Sequence, residues 1–158
     1  MSDQFDCFII LEIELGPFLG DKYQLARLYR MSLSPNGKNC ILAFSADSKN
    51  SLSFDNLFLA KKIHSLNKFK GHLITSVGWN FACETSDCTS NILIGTSKGL
   101  LFESELSSSD SKSRNVNIEK YCYQIFDVGE EGGPVTAIEF QKIDISENVY
   151  FILFTTPK

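Results

Sequence analysis

Apolar residues recur at every second position along nearly the whole chain, and turn-forming residues interrupt them at short intervals. Tyr29, Met31 and Leu33 fall on one side of a run whose other side carries Arg30 and Ser32. Leu73, Thr75, Val77 and Trp79 form a second such line. Leu100, Phe102 and Leu106 alternate with Leu101, Glu103 and Glu105. Successive side chains of a strand point to opposite faces, so this spacing specifies strands. Cys40 to Phe44 and Tyr150 to Phe154 are apolar without a break, which predicts strands covered on both faces. The expected strands are 7–14, 27–33, 39–45, 56–60, 63–69, 73–80, 91–97, 100–106, 121–127, 135–140 and 149–156. Asp21 to Arg30 has a helical composition but runs into a strand pattern, and a short helix is the alternative reading there.

Turn chemistry separates the runs. In Ser34-Pro35-Asn36-Gly37, proline sets φ for the first corner and glycine offers the exit, a type I turn pattern. Ser97-Lys98-Gly99 joins two strand runs, with Gly99 suited to the left-handed position of a three-residue hairpin loop. Glu130-Glu131-Gly132-Gly133-Pro134 separates another pair, and the polar, Ser-rich stretch 107–120 reads as an inserted loop.

The strands group into units of four. From Met31 to Val77 is 46 residues, and from Val77 to Ala137 is 60, the excess matching the loop at 107–120. A period in the forties with four strands per unit indicates a β-propeller blade. The expected fold is all-β, a partial propeller with about two complete blades and partial blades at both ends. One incomplete domain, 1–158, would hold a blade at about 27–69, the next at 73–127 and a truncated one at 135–158. Closed propellers have about four to eight blades. The sequence is therefore expected to be an incomplete chain, with open sheet edges or unmet blade faces at its ends.

Composition narrows the function. An apolar content of 43% supports a packed core, and 12% aromatic residues, thirteen of the side chains being Phe, favours strands. A net charge of −4 and a pI near 5.2 leave no basic stripe of the kind that displaces counterions from nucleic acid. The densest basic stretch, Lys61, Lys62, His64, Lys68 and Lys70, reads as a solvated loop or strand edge, with a phosphate or anionic-lipid contact as the alternative. Cys7, Cys40, Cys83, Cys88 and Cys122 are odd in number and irregular in spacing, and no Asn-x-Ser/Thr sequon occurs, so reduced thiols are expected. The N-terminal run lacks a basic flank and is interrupted by Glu12 and Glu14, unlike a signal peptide. No apolar stretch approaches the ~18 residues of a membrane-spanning helix, so any membrane association is expected to run through partners.

Candidate chemistry is sparse. Gly95-Thr96-Ser97-Lys98-Gly99 has the spacing of a nucleophile elbow, but that motif needs a following helix and a downstream histidine. A strand pattern follows instead, and His64 and His72 both lie upstream. Cys83 and Cys88 form a lone C-x4-C in a polar connection, without the second pair that zinc sites use. His72, near Trp79 in the sequence, reads as a turn histidine after Gly71. Glu103/Glu105 sit on the polar side of a strand and Glu130/Glu131 in a Gly-rich turn, with nothing in the spacing to converge them on a reacting atom. Catalytic, cofactor-binding and metal-binding residues are each expected to number none.

The stretch Lys70-Gly71-His72-Leu73-Ile74-Thr75-Ser76-Val77-Gly78-Trp79-Asn80, together with Asn91 to Leu106, resembles the N-terminal propeller of the vacuolar protein sorting-associated protein 18 (deep orange) family. Glu130 to Val135 is similar to the stretch that follows there, and Leu28 to Gly37 to the preceding blade's strand and turn. The resemblance implies a non-catalytic scaffold of HOPS and CORVET tethering complexes, which dock endosomes, late endosomes and lysosomes or vacuoles. It implies other tethering-complex subunits as partners, SNAREs and Rab GTPases through the complex, and a peripheral cytoplasmic location on those membranes. The family's α-solenoid and RING-type zinc domain have no counterpart in these residues, so zinc binding and ubiquitin-ligase activity are not carried over. A generic WD-like adaptor is the alternative, although no Trp-Asp dipeptide closes a unit here.

Overall fold

A computed structural model describes residues 12–22, 24–48, 51–80, 88–108, 118–129, 131–144 and 149–157. Strands β1 (Ala26–Leu33), β2 (Cys40–Ser48), β3 (Ser51–Leu59) and β4 (Ile63–Ser65) form one antiparallel sheet in chain order. Strands β5 (Ile74–Gly78), β6 (Cys88–Thr96), β7 (Leu100–Ser107) and β8 (Glu119–Asp127) form a second in the same order. Strands β9 (Ala137–Asp144) and β10 (Val149–Thr155) pair as a third. This is the all-β, partial-propeller arrangement expected from the period of two and the repeat.

The sheets stack because alternate residues of one strand must be covered from opposite sides. Ile92 and Ile94 of β6 face the first sheet, in a core shared with Ile41, Ala43 and Phe58. Leu93, between them, faces the third sheet and packs with Leu101, Phe140 and Phe154. In β2, Ile41 and Ala43 face the second sheet, while Cys40, Leu42 and Phe44 meet Leu15, Phe18 and Leu19 on the other side. The unbroken run Cys40 to Phe44 is thus covered on both faces, as expected. Tyr150 to Phe154 is not: Tyr150 and Phe154 pack inward, but Phe151 and Leu153 are more than half exposed. No described element lies on their side of the third sheet.

Other differences are local. Of the strand expected at 7–14, residues 7–11 lie outside the described residues and 12–15 are not strand. The chain instead makes one helical turn, α1 (Gly16–Leu19), with Pro17 in its opening turn and Gly20 at φ +56° ending it. Gly20–Lys22 add a 3-10 turn, and β1 takes over at Ala26, so no helix spans Asp21 to Arg30. β3 starts at Ser51 rather than 56, because its polar first half keeps unbroken register with β2 from Ser48↔Ser51 to Cys40↔Leu59. β4 ends at Ser65 rather than 69, since Lys70 N–H bonds back to Asn67 C=O and His72 N–H to Phe69 C=O, coiling the connection. Most of the polar insertion, 109–117, lies outside the described residues.

Two buried polar side chains hold that coiled connection. Asn56 is 3% exposed. Its Nδ2 donates to the carbonyls of Phe69 (3.3 Å) and His72 (2.8 Å), and its Oδ1 accepts from Ile74 N–H (3.3 Å). One side chain in β3 thus fixes where β5 begins. Glu119, at the start of β8, accepts from the N–H groups of Asn67 (3.0 Å) and Lys68 (2.9 Å), while Lys68 Nζ donates to its backbone carbonyl (2.7 Å). Burial pushes the Glu119 carboxyl above its ordinary value, and those two amides and the Lys68 charge pull it back only in part.

Close approach of the sheets requires glycine. A Cβ on Gly78 would lie 2.6 Å from Ile138 Cγ2, and one on Gly95 would lie 2.7 Å from Val135 Cβ. Val135 is fully buried there: its carbonyl accepts from Thr75 Oγ1 (2.6 Å) and Ser76 Oγ (2.9 Å), and its N–H donates to Thr96 C=O (3.1 Å).

Two outcomes follow. Gly95→Ala overpacks this joint and lowers unfolding free energy by about 1–3 kcal/mol in urea titration. Gly16→Ala, with open space around its Cβ, costs far less. For Glu119, a folded-state value above the unfolded one means that its contribution to stability is present in acid and lost as pH rises through the folded value. The melting temperature of the wild type therefore gains on that of Glu119→Gln as pH falls from neutral into the carboxylate range. A pH-independent difference contradicts the assignment.

Candidate interaction surfaces

The loop Gly95-Thr96-Ser97-Lys98-Gly99 is a hairpin, as expected. Gly99 sits at φ +75°, its N–H bonds Thr96 C=O (3.1 Å), and β7 follows directly. Nothing raises Ser97 on a strand-to-helix turn, so the elbow spacing has no matching geometry. The turn at Ser34 to Gly37 also forms, with Gly37 N–H bonded to Ser34 C=O (2.9 Å) and Gly37 at φ +71°. Of the turn before the third sheet, Gly132 N–H bonds Gly129 C=O (3.1 Å) and Gly133 sits at φ +68°, while Glu130 lies outside the described residues and Glu131 is exposed.

The histidines are packing groups. His72 lies edge-on to Phe102, with centroids 5.8 Å apart, and its Nδ1 has no hydrogen-bond partner among the described residues. Burial and then the Lys98 charge hold it below its ordinary value; burial and then Lys62 do the same to His64 in β4. Both rings are therefore neutral near neutral pH. The basic stretch does not act as one patch. Lys61 and Lys62 sit exposed between β3 and β4, and Lys68 bonds Glu119.

Cys83 lies outside the described residues, and Cys88 is not in a connection but opens β6. Its Sγ donates to Glu105 Oε1 (3.1 Å), which also pairs with Lys120. Burial, followed by the bond to Glu105, pushes the Cys88 thiol up, so it carries little thiolate. Burial likewise pushes Cys122 up to about 11. The bond from Lys120 is the main cause holding Glu105 below its ordinary value. Among the described residues, no three His, Cys, Asp or Glu side chains are placed to hold a metal.

Polar and aromatic side chains group on one face of the second sheet. Asn91 Nδ2 donates to Glu103 Oε1 (2.8 Å), and Tyr121 stacks on Tyr123 with centroids 5.4 Å apart. The register Glu103↔Tyr123 and Glu105↔Tyr121 puts both carboxylates and both rings on one side. Burial, then Glu103 and Glu105, push the Tyr121 hydroxyl up, so it stays a donor. The sequence showed the two carboxylates but not the tyrosines beside them, because that neighbour relation depends on a β7–β8 register interrupted by bulges.

Residues 10–158 match the family model of the Pep3/Vps18/deep orange beta-propeller domain. The chain is 32% identical over 157 residues to a vacuolar protein sorting-associated protein 18 homolog of Danio rerio, covering 94% of this chain and 16% of that protein. It is 28% identical over 149 residues to a homolog of the same name in Drosophila melanogaster, covering 88% of this chain and 14% of that one. With vacuolar sorting protein 18 of Arabidopsis thaliana it shares 25% identity over 131 residues, 82% of this chain and 13% of that protein. The chain thus spans at most 16% of the length of these relatives. No solved structure matches it. Three sheets in chain order and a match that spans all of them place the chain in the Pep3/Vps18/deep orange β-propeller family.

Proposed function

We propose that this chain is a non-catalytic interaction module in vacuolar protein sorting, part of a subunit of a HOPS- or CORVET-type tethering complex. The match over residues 10–158 carries the reading. Stacked sheets support it physically, because they present rigid faces and loops for partners while keeping their inner strands closed. On this reading residues 1–158 belong to one incomplete propeller domain, with blades at about 27–69 and 73–127 and a further one beginning at 135. Its partners are other tethering-complex subunits, with SNAREs and Rab GTPases reached through the complex.

The membrane association is peripheral, on late endosomes and lysosomes or vacuoles. No helix among the described residues is long and apolar enough to cross a bilayer. The acidic and tyrosine-bearing side of β7 and β8 suits a protein contact, since stacked tyrosines give large contact area at low entropic cost. A carboxylate-rich surface of this kind repels anionic lipid.

The test is affinity purification of the tagged chain from cells, followed by identification of bound proteins and by organelle fractionation. Tethering-complex subunits are expected to be enriched over an unrelated tagged β-protein. The membrane-bound fraction is expected to wash off with alkaline carbonate. Absence of every such subunit from the purified material contradicts the proposal.

A further inference from the structure

The first sheet leaves part of one strand edge open from within. β4 pairs with β3 only from Leu57↔Ser65 to Leu59↔Ile63. Leu66 N–H then donates to Asn56 C=O (2.8 Å), the last rung before the connection to β5 coils away. The backbone groups of Asn56 thus point to the β4 side. Residues of an antiparallel strand alternate in this respect, so those of Phe54 and Leu52 point the same way. β3 is paired along its other edge with β2 from Ser48↔Ser51 onward. On the β4 side, no strand among the described residues pairs with Leu52 or Phe54. Natural proteins blunt such edges with Lys or Pro, and Ser51-Leu52-Ser53-Phe54 carries neither.

That edge is one wall of a groove of about 380 Å³. The rest of its lining comes from Lys70 and Gly71 of the connection and from Lys98 of the β6–β7 hairpin. Phe54 packs against the core between the first and second sheets, and Leu52, on the same side of β3, is 60% exposed. Lys70 and Lys98 are exposed, and neither is ion-paired among the described residues. Asp55 also lines the groove but is engaged in an interaction of its own. The groove therefore combines open backbone donors and acceptors, an apolar patch and unmatched positive charge. An extended segment with apolar and acidic side chains complements all three. A second copy of this chain, pairing through the same edge, would bring its own Lys70 and Lys98 against these.

We infer that this groove binds an extended acidic and apolar segment of a partner protein, which adds as a strand to the Leu52–Phe54 edge of β3 and sets carboxylates against Lys70 and Lys98. Main-chain hydrogen bonds supply affinity in this mode of recognition, and the side-chain lining supplies specificity. The site lies within this chain and holds whichever complex the chain joins.

Fluorescence anisotropy with the 158-residue chain tests this, the probe being a fluorescein-labelled peptide of two Val-Val-Glu-Glu repeats. That pattern puts an apolar and an acidic side chain on each face of an added strand. Saturable micromolar binding is expected, and none to the same peptide methylated on its backbone nitrogens. Leu52→Pro removes an outward N–H and leaves the β2 ladder intact, so it is expected to weaken binding about tenfold. Leu52→Ala, which keeps that N–H, is expected to weaken it less. Lys70→Glu/Lys98→Glu is expected to reverse the preference towards a Val-Val-Lys-Lys peptide. Absence of binding to the wild type overturns the inference, as does equal binding of the methylated or the lysine peptide. So does undiminished binding by a Leu52→Pro variant that circular dichroism shows to be folded. A wild type that dimerises through this edge, with Leu52→Pro monomeric, assigns the edge to a second copy and overturns it too. If Leu52→Pro fails to fold, the methylated peptide on the wild type decides.

Discussion

Everything in this molecule depends on β6 being apolar on both sides. Ile92 and Ile94 need cover from one direction and Leu93 from the other, and all three are buried. Each such side chain gives about 1.5–3 kcal/mol when fully removed from water. A single sheet covers neither side, so a sheet must lie in front and another behind. That requirement turns a chain of hairpins into a stack, and the stack sets how close neighbouring sheets come. Gly78 and Gly95 are where that spacing leaves no room for a side chain.

Apolar contact alone does not fix how one sheet follows another. The joints are polar and buried. Asn56 satisfies two carbonyls and one amide of the connection, and Glu119 takes two more amides from it. Left without partners, such groups would each cost about 1–3 kcal/mol. They therefore admit one path for the chain between the first sheet and the second. The same thrift leaves the surface chemistry simple. Glu105 is engaged by Cys88 and Lys120, and His72 is packed on Phe102, so reactive side chains are used in structure.

Most strands were legible because alternation and turn residues report local geometry. Ser97-Lys98-Gly99 and Ser34 to Gly37 made the turns that their sequences specify. Two of the misses share one cause. Ser51 to Asp55 looked too polar for a strand, yet pairing with β2 carries it. Leu66 to Phe69 looked apolar enough for one, yet Asn56, 13 residues from Phe69, and Glu119, 52 residues from Asn67, hold it in a coil. The Tyr121–Tyr123 surface likewise depends on a register broken by bulges. In the surface as in the fold, what the sequence hid was long-range pairing.

Val135 has a mechanical consequence. Its carbonyl receives the hydroxyls of Thr75 and Ser76 while its amide bonds Thr96, so one residue is fastened to both β5 and β6. The glycines just before it, Gly132 and Gly133, invite the picture of a hinge. The fastening forbids it: swinging the third sheet about that point would break three bonds together. Tension applied along β9 is instead shared by those bonds in parallel and delivered to the middle of the stack, making this link a weld rather than a pivot.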